Sequence, residues 1–318
     1  MPERIPQRVV ITEVVTRDGF QDEPRFVSTE DKRSLIHGLM KAGVASIEVT
    51  SFVHPKVVPQ MQDAGELLSS VDRRPDVTLS ALIPNLKGAE RAVEAGVDEM
   101  HLVLSASESH NRANLNRSVD ESLAQLLEVC DFVRRRDSTV ILGAGIATSF
   151  ACPFEGRVEL DQLLRIVGSL VERGVVLVNL ADTTGMTNPR DVRMTCEAVR
   201  DEHPDLALGL HLHNTRGMAL ANALAGLQAG IDRFDSSLGG IGGCPFAPGA
   251  TGNVSTEDLV HMLHEMRIDT GIDLDALMRE TARLPAMLGH HALESQVLRA
   301  GKSSDLHSFE SVRVATAR

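Results

Sequence analysis

Two histidines, His211 and His213, are separated by one residue in an apolar stretch that predicts a β-strand over residues 206–212. Alternate side chains of a strand point to the same side, so both imidazoles are expected to face one way. Imidazole is a common metal ligand, and a carboxylate from Asp18, after another predicted strand, strengthens that interpretation. Taken alone, the histidine pair is also compatible with a surface site or a hydrogen-bonded pair in the core.

Other polar side chains follow or interrupt the remaining predicted strands. They are Arg17, Gln21, Glu48, Ser51, Asp182 and Asn253. Two of the candidates have an ordinary structural alternative when taken singly. Asp18 is typical of a helix-capping loop residue, and Asn253, preceded by glycine, is typical of a turn. The pattern gains weight only because these residues fall together at strand ends.

A glycine-rich segment covers residues 239–245 and contains Cys244. It resembles a phosphate-binding loop only weakly, because it leads into Cys-Pro and not into a helix. A buried small residue is the ordinary role for a lone cysteine. The functional alternative is a mobile flap with Cys244 at its tip, closing over a site.

The elements that would position these residues alternate regularly between strand and helix. Short apolar, β-branched runs predict eight strands, and amphipathic stretches between them predict helices. The strands are expected at 9–15, 46–50, 77–83, 99–104, 140–148, 175–180, 206–212 and 233–237. Eight strands exceed the five or six of a usual doubly wound sheet, so we expect a (β/α)8 TIM barrel. Active sites of such barrels lie on the loops after the strands, where the polar residues fall.

Length and composition indicate the number of domains, the classes of partner and the cellular location. The 318 residues suit a single catalytic barrel domain, 1–318, with a C-terminal extension of helices and a polar tail from about residue 272. A net charge of −12 argues against nucleic-acid or anionic-membrane binding, and no apolar run is long enough to span a bilayer. Four scattered cysteines and a start without a targeting signal predict a cytoplasmic protein.

Taken together, the motifs resemble the 3-hydroxy-3-methylglutaryl-CoA lyase family, within the metal-dependent aldol and Claisen barrel enzymes. The resemblance covers nearly the whole chain. Its segments include RDGFQ (17–21), IEVTSFVHPKVVPQM (47–61), LADTTG (180–185), HLHNTRGMALANAL (211–224) and GGIGGCPFAPGATGNVSTEDLV (239–260). Long, ordered matches of this kind are specific.

The resemblance implies a metal site and a reaction. The ligands would be Asp18, His211, His213 and Asn253, and the metal would be Mg²⁺ or Mn²⁺. The reaction would be retro-Claisen cleavage of 3-hydroxy-3-methylglutaryl-CoA, or a close 3-hydroxyacyl-CoA, to acetyl-CoA and a keto acid such as acetoacetate. The catalytic or supporting residues would be Arg17, Glu48, Asp182, His211, Cys244, Gln21, Ser51 and Glu257.

Several departures from the lyase pattern line the expected substrate mouth. Asn179 and Ala181 stand where these lyases more often have Ser and Gly, and Ala147-Thr148 replaces a more usual Ser-Cys. Asn214 replaces the Asp that usually follows the histidine pair. None of these changes touches the implied ligands, so a different acyl group is an open alternative.

Two other enzyme classes compete with the lyase. Claisen-type synthases of the isopropylmalate or homocitrate kind share the barrel and the histidine pair, but the cysteine-bearing flap favours a lyase. Amidohydrolase-type enzymes carry such a pair near the first strand, whereas here it lies on the seventh. A non-catalytic binding protein is the weakest alternative. The expected partners are an acyl-CoA substrate and, by fold analogy, a second copy in a homodimer.

Overall fold

The computed structural model describes residues 5–136, 139–243 and 252–306, and it contains a closed barrel of eight parallel strands. The strands are β1 (Val10–Glu13), β2 (Ser46–Ser51), β3 (Thr78–Ile83), β4 (Glu99–Ser105), β5 (Ile141–Ala147), β8 (Leu177–Asp182), β9 (Ala207–Leu212) and β10 (Arg233–Ser236). The order around the barrel is β1-β2-β3-β4-β5-β8-β9-β10, and β10 closes onto β1 through pairs such as Val10 with Arg233. The predicted TIM barrel is confirmed.

Helices connect the strands and cover the outside of the barrel. They are α1 (Thr29–Lys41), α2 (Ala64–Ser70), α3 (Leu86–Glu94), α4 (Glu108–Leu115), α5 (Val119–Arg135), α6 (Leu160–Val171), α7 (Pro189–Glu202), α8 (Ala219–Gln228) and α9 (Thr256–Glu265). Their apolar faces and the strands share one hydrophobic core. In the part of the chain that the structure describes, no helix is long and apolar enough to cross a membrane.

Strict alternation of one strand and one helix is wrong at two connections. The short helix α4 is an addition between β4 and α5, and a small antiparallel hairpin follows β5. The hairpin consists of β6 (Ala151–Cys152) and β7 (Gly156–Arg157). Both additions follow strand ends, where barrel loops build active sites. Short, half-exposed elements of this kind carry too weak a periodic pattern to be predicted.

The end of the first strand also differs from the sequence prediction. The strand stops at Glu13, and residues Val15–Gly19 form a π-helical turn. The carbonyl of Val14 accepts hydrogen bonds from three N–H groups, those of Arg17, Asp18 and Gly19, at 2.8–3.2 Å. This tight turn holds Arg17 and Asp18 at the mouth of the barrel instead of letting the strand continue. Single-turn π-helices are often found at functional sites.

The chain after α9 forms three short helices on the outside of the barrel. They are α10 (Leu274–Thr281), α11 (Leu284–Leu288) and α12 (Gln296–Ala300). Leu277 and Leu284 are fully buried against the rest of the core. The helices predicted after residue 272 are therefore present, while the tail beyond residue 306 lies outside the described residues.

Candidate metal centre and active site

Asp18, His211 and His213 lie together at the barrel mouth. One ligand atom from each lies within 4.8 Å of the others. The Nε2 atoms of the two histidines are 3.1 Å apart, and His211 Nε2 is 4.0 Å from Asp18 Oδ2. His211 lies on β9 and His213 follows it by two residues, so the strand turns both rings inward, as the spacing predicts. The three side chains form a compact nitrogen and oxygen donor set.

Asn253 completes one side of this donor set. Its Nδ2 donates to Asp18 Oδ2 at 2.6 Å and to the carbonyl of Ile241 at 3.1 Å. Its Oδ1 is buried without a hydrogen-bond partner in the described part of the chain. A buried amide oxygen without a partner is a donor that a cation can use. Gly242 has φ +101°, and a Cβ there would lie 2.7 Å from Asn253 Nδ2, so a glycine is required beside it.

The surroundings shift the pKa values of the two histidines in opposite directions, and they leave His213 with a neutral ring that can bind a metal. Burial lowers the pKa of His213 to about 4, helped by the charge of His211, so His213 is neutral near pH 7. Burial opposes charge on His211 too, but the hydrogen bond to Asp235 and the charge of Asp18 raise its pKa overall. Asp18 is also buried, yet the neighbouring Arg17 lowers its pKa to about 2 and keeps it a carboxylate.

These groups fit a divalent cation. A neutral imidazole, a carboxylate and an unpartnered amide oxygen are all donors that Mg²⁺, Mn²⁺ or related ions accept. The close approach of two ring nitrogens and a carboxylate in a buried place is otherwise costly, because buried polar atoms need partners. The donor set does not by itself distinguish one metal from another.

Asp235 contacts the ring nitrogen of His211 that points away from Asp18 and His213, and so orients the ring. Its Oδ2 lies 3.2 Å from His211 Nδ1, which leaves Nε2 directed toward Asp18 and His213. Asn179 Nδ2 donates to both oxygens of Asp235, at 3.0 and 2.9 Å, and fixes that carboxylate. Such outer partners set which imidazole nitrogen is available to a metal. A chain of hydrogen bonds thus runs from Asn179 on β8 through Asp235 on β10 to His211 on β9.

Arg17 is held in a buried network of opposite charges. Its Nε donates to Glu48 Oε2 at 2.6 Å, and its Nη1 pairs with Asp18. On the far side of Glu48, Oε1 lies 3.3 Å from His101 Nδ1. Burial would raise the pKa of Glu48, but the charge of Arg17 lowers it to about 2. Burial would lower the pKa of His101, but Glu48 raises it to about 9. The floor of the site therefore holds fixed charges of both signs.

Asp182 lies just outside the cavity lining. Its neighbours Ala181 and Thr183 line the cavity, while Asp182 accepts hydrogen bonds from the N–H groups of Met186 and Thr187 at 2.8 and 3.2 Å. Its Oδ2 is buried without a partner in the described chain. Burial raises its pKa to about 6, although the two N–H groups oppose that shift.

The three residues expected to support the site fall at different distances from it. Gln21 donates to Asp18 Oδ1 at 3.4 Å, and Ser51 lines the cavity. Glu257 is fully buried at the start of α9, where it accepts the N–H of Gly239 at 3.1 Å and hydroxyl bonds from Ser255 and Thr281. Glu257 thus anchors the beginning of the glycine-rich segment rather than touching the cavity. Cys244, expected at its tip, lies outside the described residues.

A cavity of about 250 Å³ connects these groups. Charged residues from β1, β2, β4, β9 and β10 line its floor. The rest of the lining is largely apolar and comes from β3, β4 and the loops after β2, β3 and β4; it includes Val53, Val57, Val58, Leu82, Val103 and Leu115. A concave, mostly apolar site with a few convergent polar groups is typical of small-molecule binding.

Three buried polar residues of this region were missed by the sequence predictions. They are Glu13, His101 and Asp235, each inside a predicted strand. Glu13 accepts the N–H groups of Val15 and Leu238, and burial raises its pKa to about 8. The available signal was a charged or imidazole side chain interrupting an apolar strand. What each would contact cannot be read from that signal, because the partners come from other strands.

Comparison with known proteins gives consistent matches. The family model described as HMGL-like matches residues 8–284. The hydroxymethylglutaryl-CoA lyase YngG of Bacillus subtilis is 43% identical over 299 residues, which cover 94% of this chain and 99% of that protein. A 3-hydroxy-3-isohexenylglutaryl-CoA/hydroxymethylglutaryl-CoA lyase of Pseudomonas aeruginosa is 41% identical, covering 90% of this chain and 94% of that one.

A solved structure with the same fold supports these matches. It is an HMG-CoA lyase from Acinetobacter baumannii in complex with coenzyme A and 3-methylmalate. The TM-score is 0.90 at 44% identity, and the alignment covers 95% of this chain and 98% of that chain.

Proposed function

The chain belongs to the HMGL-like family, and from that premise we propose that it cleaves 3-hydroxy-3-methylglutaryl-CoA, or a close 3-hydroxyacyl-CoA, to acetyl-CoA and a keto acid. For hydroxymethylglutaryl-CoA the keto acid is acetoacetate. The protein is a carbon–carbon lyase. The observation that carries the proposal is the position of Arg17 beside the Asp18, His211 and His213 cluster at the barrel mouth.

The proposed metal site consists of Asp18, His211, His213 and Asn253. The proposed ion is Mg²⁺ or Mn²⁺, because the set combines oxygen donors with two imidazoles. When bound, such an ion lowers the pKa of a hydroxyl group and fixes its orientation. Asp235 keeps the Nε2 of His211 free for this task, since it occupies Nδ1.

Arg17 is proposed to stabilise the charge that develops on the thioester. In the cleavage, the C3 hydroxyl loses its proton, C3 becomes a carbonyl, and the bond to C2 breaks, which leaves the enolate of acetyl-CoA. A permanent cation aimed at the enolate oxygen lowers the barrier to this step. Glu48 and Asp18 fix the guanidinium before the substrate arrives, so little reorganisation is needed.

Two proton transfers complete the proposed reaction. Asp182 is our candidate for receiving the hydroxyl proton, because burial places its pKa near 6 and one oxygen has no partner in the described chain. His211 contributes to the same charged surroundings. Cys244 is our candidate for returning a proton to C2 of the enolate, a role that rests on the family motif at residues 239–260.

The proposal also includes a cytoplasmic location, expected from the sequence, and coenzyme A thioesters as substrates, expected from the family. By analogy with other barrel enzymes it includes a homodimer.

The deciding experiment is incubation of the purified protein with Mg²⁺ and a panel of 3-hydroxyacyl-CoA thioesters. Acetyl-CoA and the matching keto acid should form from at least one of them, with hydroxymethylglutaryl-CoA the first choice. His213→Ala should abolish this activity, whereas His203→Ala, at the opposite end of the barrel after α7, should not. The lyase assignment fails if no thioester is cleaved and none forms from the products in reverse.

A further inference from the structure

A second cavity, of about 300 Å³, lies between α3 and α5, two helices that cover the outside of the barrel. We call it the α3–α5 cavity. It shares no lining residue with the active-site cavity, but it adjoins it. Val53, Pro84 and Leu115 line the active-site cavity, and residues one or two positions along the chain from each of them line the α3–α5 cavity. The same loops after β2, β3 and β4 therefore border both cavities.

The α3–α5 cavity is basic, although the chain as a whole has a net charge of −12. Lys87, Arg91 and Arg117 line it, and Glu128 is the one carboxylate among its described lining residues. Both arginines are half-buried. Within the described ranges, neither guanidinium forms an ion pair or donates a side-chain hydrogen bond. A cation that is partly removed from water gains most from an anionic partner, so this cavity is suited to an anion.

Arg91 is held in place without using its hydrogen-bond donors. Its guanidinium carbon lies over the ring of Phe52, 5.3 Å from the ring centre, which is a cation–π contact. Phe52 is itself buried and offers a fixed support. Stacking uses the flat face of the guanidinium and leaves the N–H groups at its edge available to oxygen atoms of a ligand.

The backbone at Arg117 is fixed by a buried amide. Asn116 ends α4 in the left-handed conformation, with φ +53°, and Arg117 follows it. Asn111 is fully buried, and its Nδ2 donates to the carbonyls of Arg117 and Ser118 at 2.9 Å each. The loop thus keeps its shape without an ion pair from the Arg117 side chain. Both arginines are positioned by the fold and not by a carboxylate.

The charges and the size of the α3–α5 cavity favour a phosphate group. A phosphate monoester carries a charge of about −1.5 to −2 at pH 7 and has three acceptor oxygens, enough for two guanidinium groups at once. A carboxylate has a single charge and two oxygens. The cavity volume of about 300 Å³ is about ten times that of a water molecule in the liquid. It therefore holds a phosphate together with part of the group that carries it.

We propose that the α3–α5 cavity is a binding site for a phosphate ester, with Arg91 and Arg117 as the residues that bind the phosphate. The ester comes either from a free small molecule, such as a nucleoside monophosphate, or from the nucleotide end of a coenzyme A thioester, and both present the same group. Only the second source rests on the proposed function. A bound phosphate joins α3 to the loop before α5, next to the residues that line the active-site cavity.

The test is calorimetric titration of the full chain, in buffer containing Mg²⁺, with inorganic phosphate, AMP, coenzyme A and dephospho-coenzyme A. Arg91→Gln and Arg117→Gln should each weaken binding of the phosphate ester by about 10- to 100-fold, the effect of losing hydrogen bonds to a charged group. Arg117→Lys keeps the charge without the paired donors and should give an intermediate affinity. Arg135→Gln is the matched control, because Arg135 is exposed at the other end of α5, and it should bind as the wild type does.

The four ligands separate the two sources of the phosphate. If a free ester is the ligand, inorganic phosphate and AMP bind the wild type even when coenzyme A is saturating. If coenzyme A is the source, loss of its 3′-phosphate weakens binding to the wild type, whereas Arg91→Gln binds coenzyme A and dephospho-coenzyme A equally. Either result supports the site.

Two results would overturn the inference. One is binding that is equally strong in the wild type, Arg91→Gln and Arg117→Gln. The other is a wild type that binds neither phosphate nor AMP and does not distinguish coenzyme A from dephospho-coenzyme A. Without ligand, all variants should unfold at the wild-type temperature, which separates loss of the site from loss of the fold. The titrations need no turnover, so failure of the lyase reaction removes the proposed function and leaves this test intact.

Discussion

The Nε of Arg17 lies 2.6 Å from Oε2 of Glu48, and both side chains are buried at the floor of the cavity. The same guanidinium also pairs with Asp18, a proposed metal ligand. One arginine thus joins the charge-stabilising part of the site to its metal-binding part. A buried pair of this kind depends on both partners, because removing one leaves the other charge uncompensated.

Glu48→Gln should therefore lower catalysis and also destabilise the fold, because Arg17 and His101 both lose a charged partner. The amide keeps the size of the side chain but removes the charge that fixes Arg17, so we expect kcat to fall by roughly 10²-fold, the effect of losing one positioned charge-stabilising group. Steady-state kinetics with the best thioester measures this. Glu94→Gln, on the exposed end of α3, is the control and should behave as wild type. A kcat within a few fold of wild type would show that Glu48 does not position Arg17.

His101 should make stability fall as the pH rises above neutrality. Its pKa is about 9 in the fold, against an ordinary value of 6.5, because Glu48 stabilises the charged form. A raised pKa contributes stability that is complete below pH 6.5 and is lost as the pH rises through 9, by roughly 3 kcal/mol at most. Thermal unfolding at several pH values, compared between wild type and His101→Gln, measures the difference. Parallel pH profiles of the two proteins would contradict the assignment.

Asp235→Asn should weaken metal binding without removing a ligand. Asp235 accepts from both Asn179 and His211, and an amide at this place would favour the other tautomer of His211. We expect the affinity for Mn²⁺ to fall by about 10- to 100-fold, as is usual for such outer partners. Titration of the metal-free protein by calorimetry gives the value. Asp205→Asn, an exposed change after α7, should bind Mn²⁺ as the wild type does; equal affinity in Asp235→Asn would exclude this role.

Asp182 should give the reaction an acidic limb in its pH profile. A base must be deprotonated to act, and burial raises the pKa of Asp182 from 3.8 to about 6. The kcat/KM is expected to fall tenfold per pH unit well below pH 6 and to level off above it. Asp182→Asn should lower kcat by about 10²- to 10⁴-fold. If Asp182→Asn retains both the wild-type rate and the acidic limb of the pH profile, another group is the base.

The barrel itself could be predicted from the sequence because its signals are local. Each strand is a short apolar run, each helix has an amphipathic pattern, and eight repeats leave few alternatives. The histidine pair was predictable for the same reason, since its two-residue spacing at the end of β9 turns both rings inward. Arg17 and Asp18 were expected at a strand end, but the π-helical turn that presents them was not.

What could not be predicted depends on contacts between distant strands. Asp235 lies in β10 and acts on His211 in β9, while His101 in β4 supports Glu48 in β2. No local pattern encodes such pairs, because the barrel register brings them together only after closure. Asn253 is a further case: its place beside Asp18 was implied by family resemblance and not by its own spacing.

The central claim is a metal-dependent cleavage at the Asp18, His211 and His213 cluster. Its most direct test is the rate of acetyl-CoA formation from hydroxymethylglutaryl-CoA by protein stripped of metal with EDTA, before and after Mg²⁺ or Mn²⁺ is restored. We predict a rate near zero without metal, recovery on adding either ion, and no recovery in His213→Ala. An unchanged rate in the stripped protein, or no acetyl-CoA from any 3-hydroxyacyl-CoA with metal bound, would contradict the account.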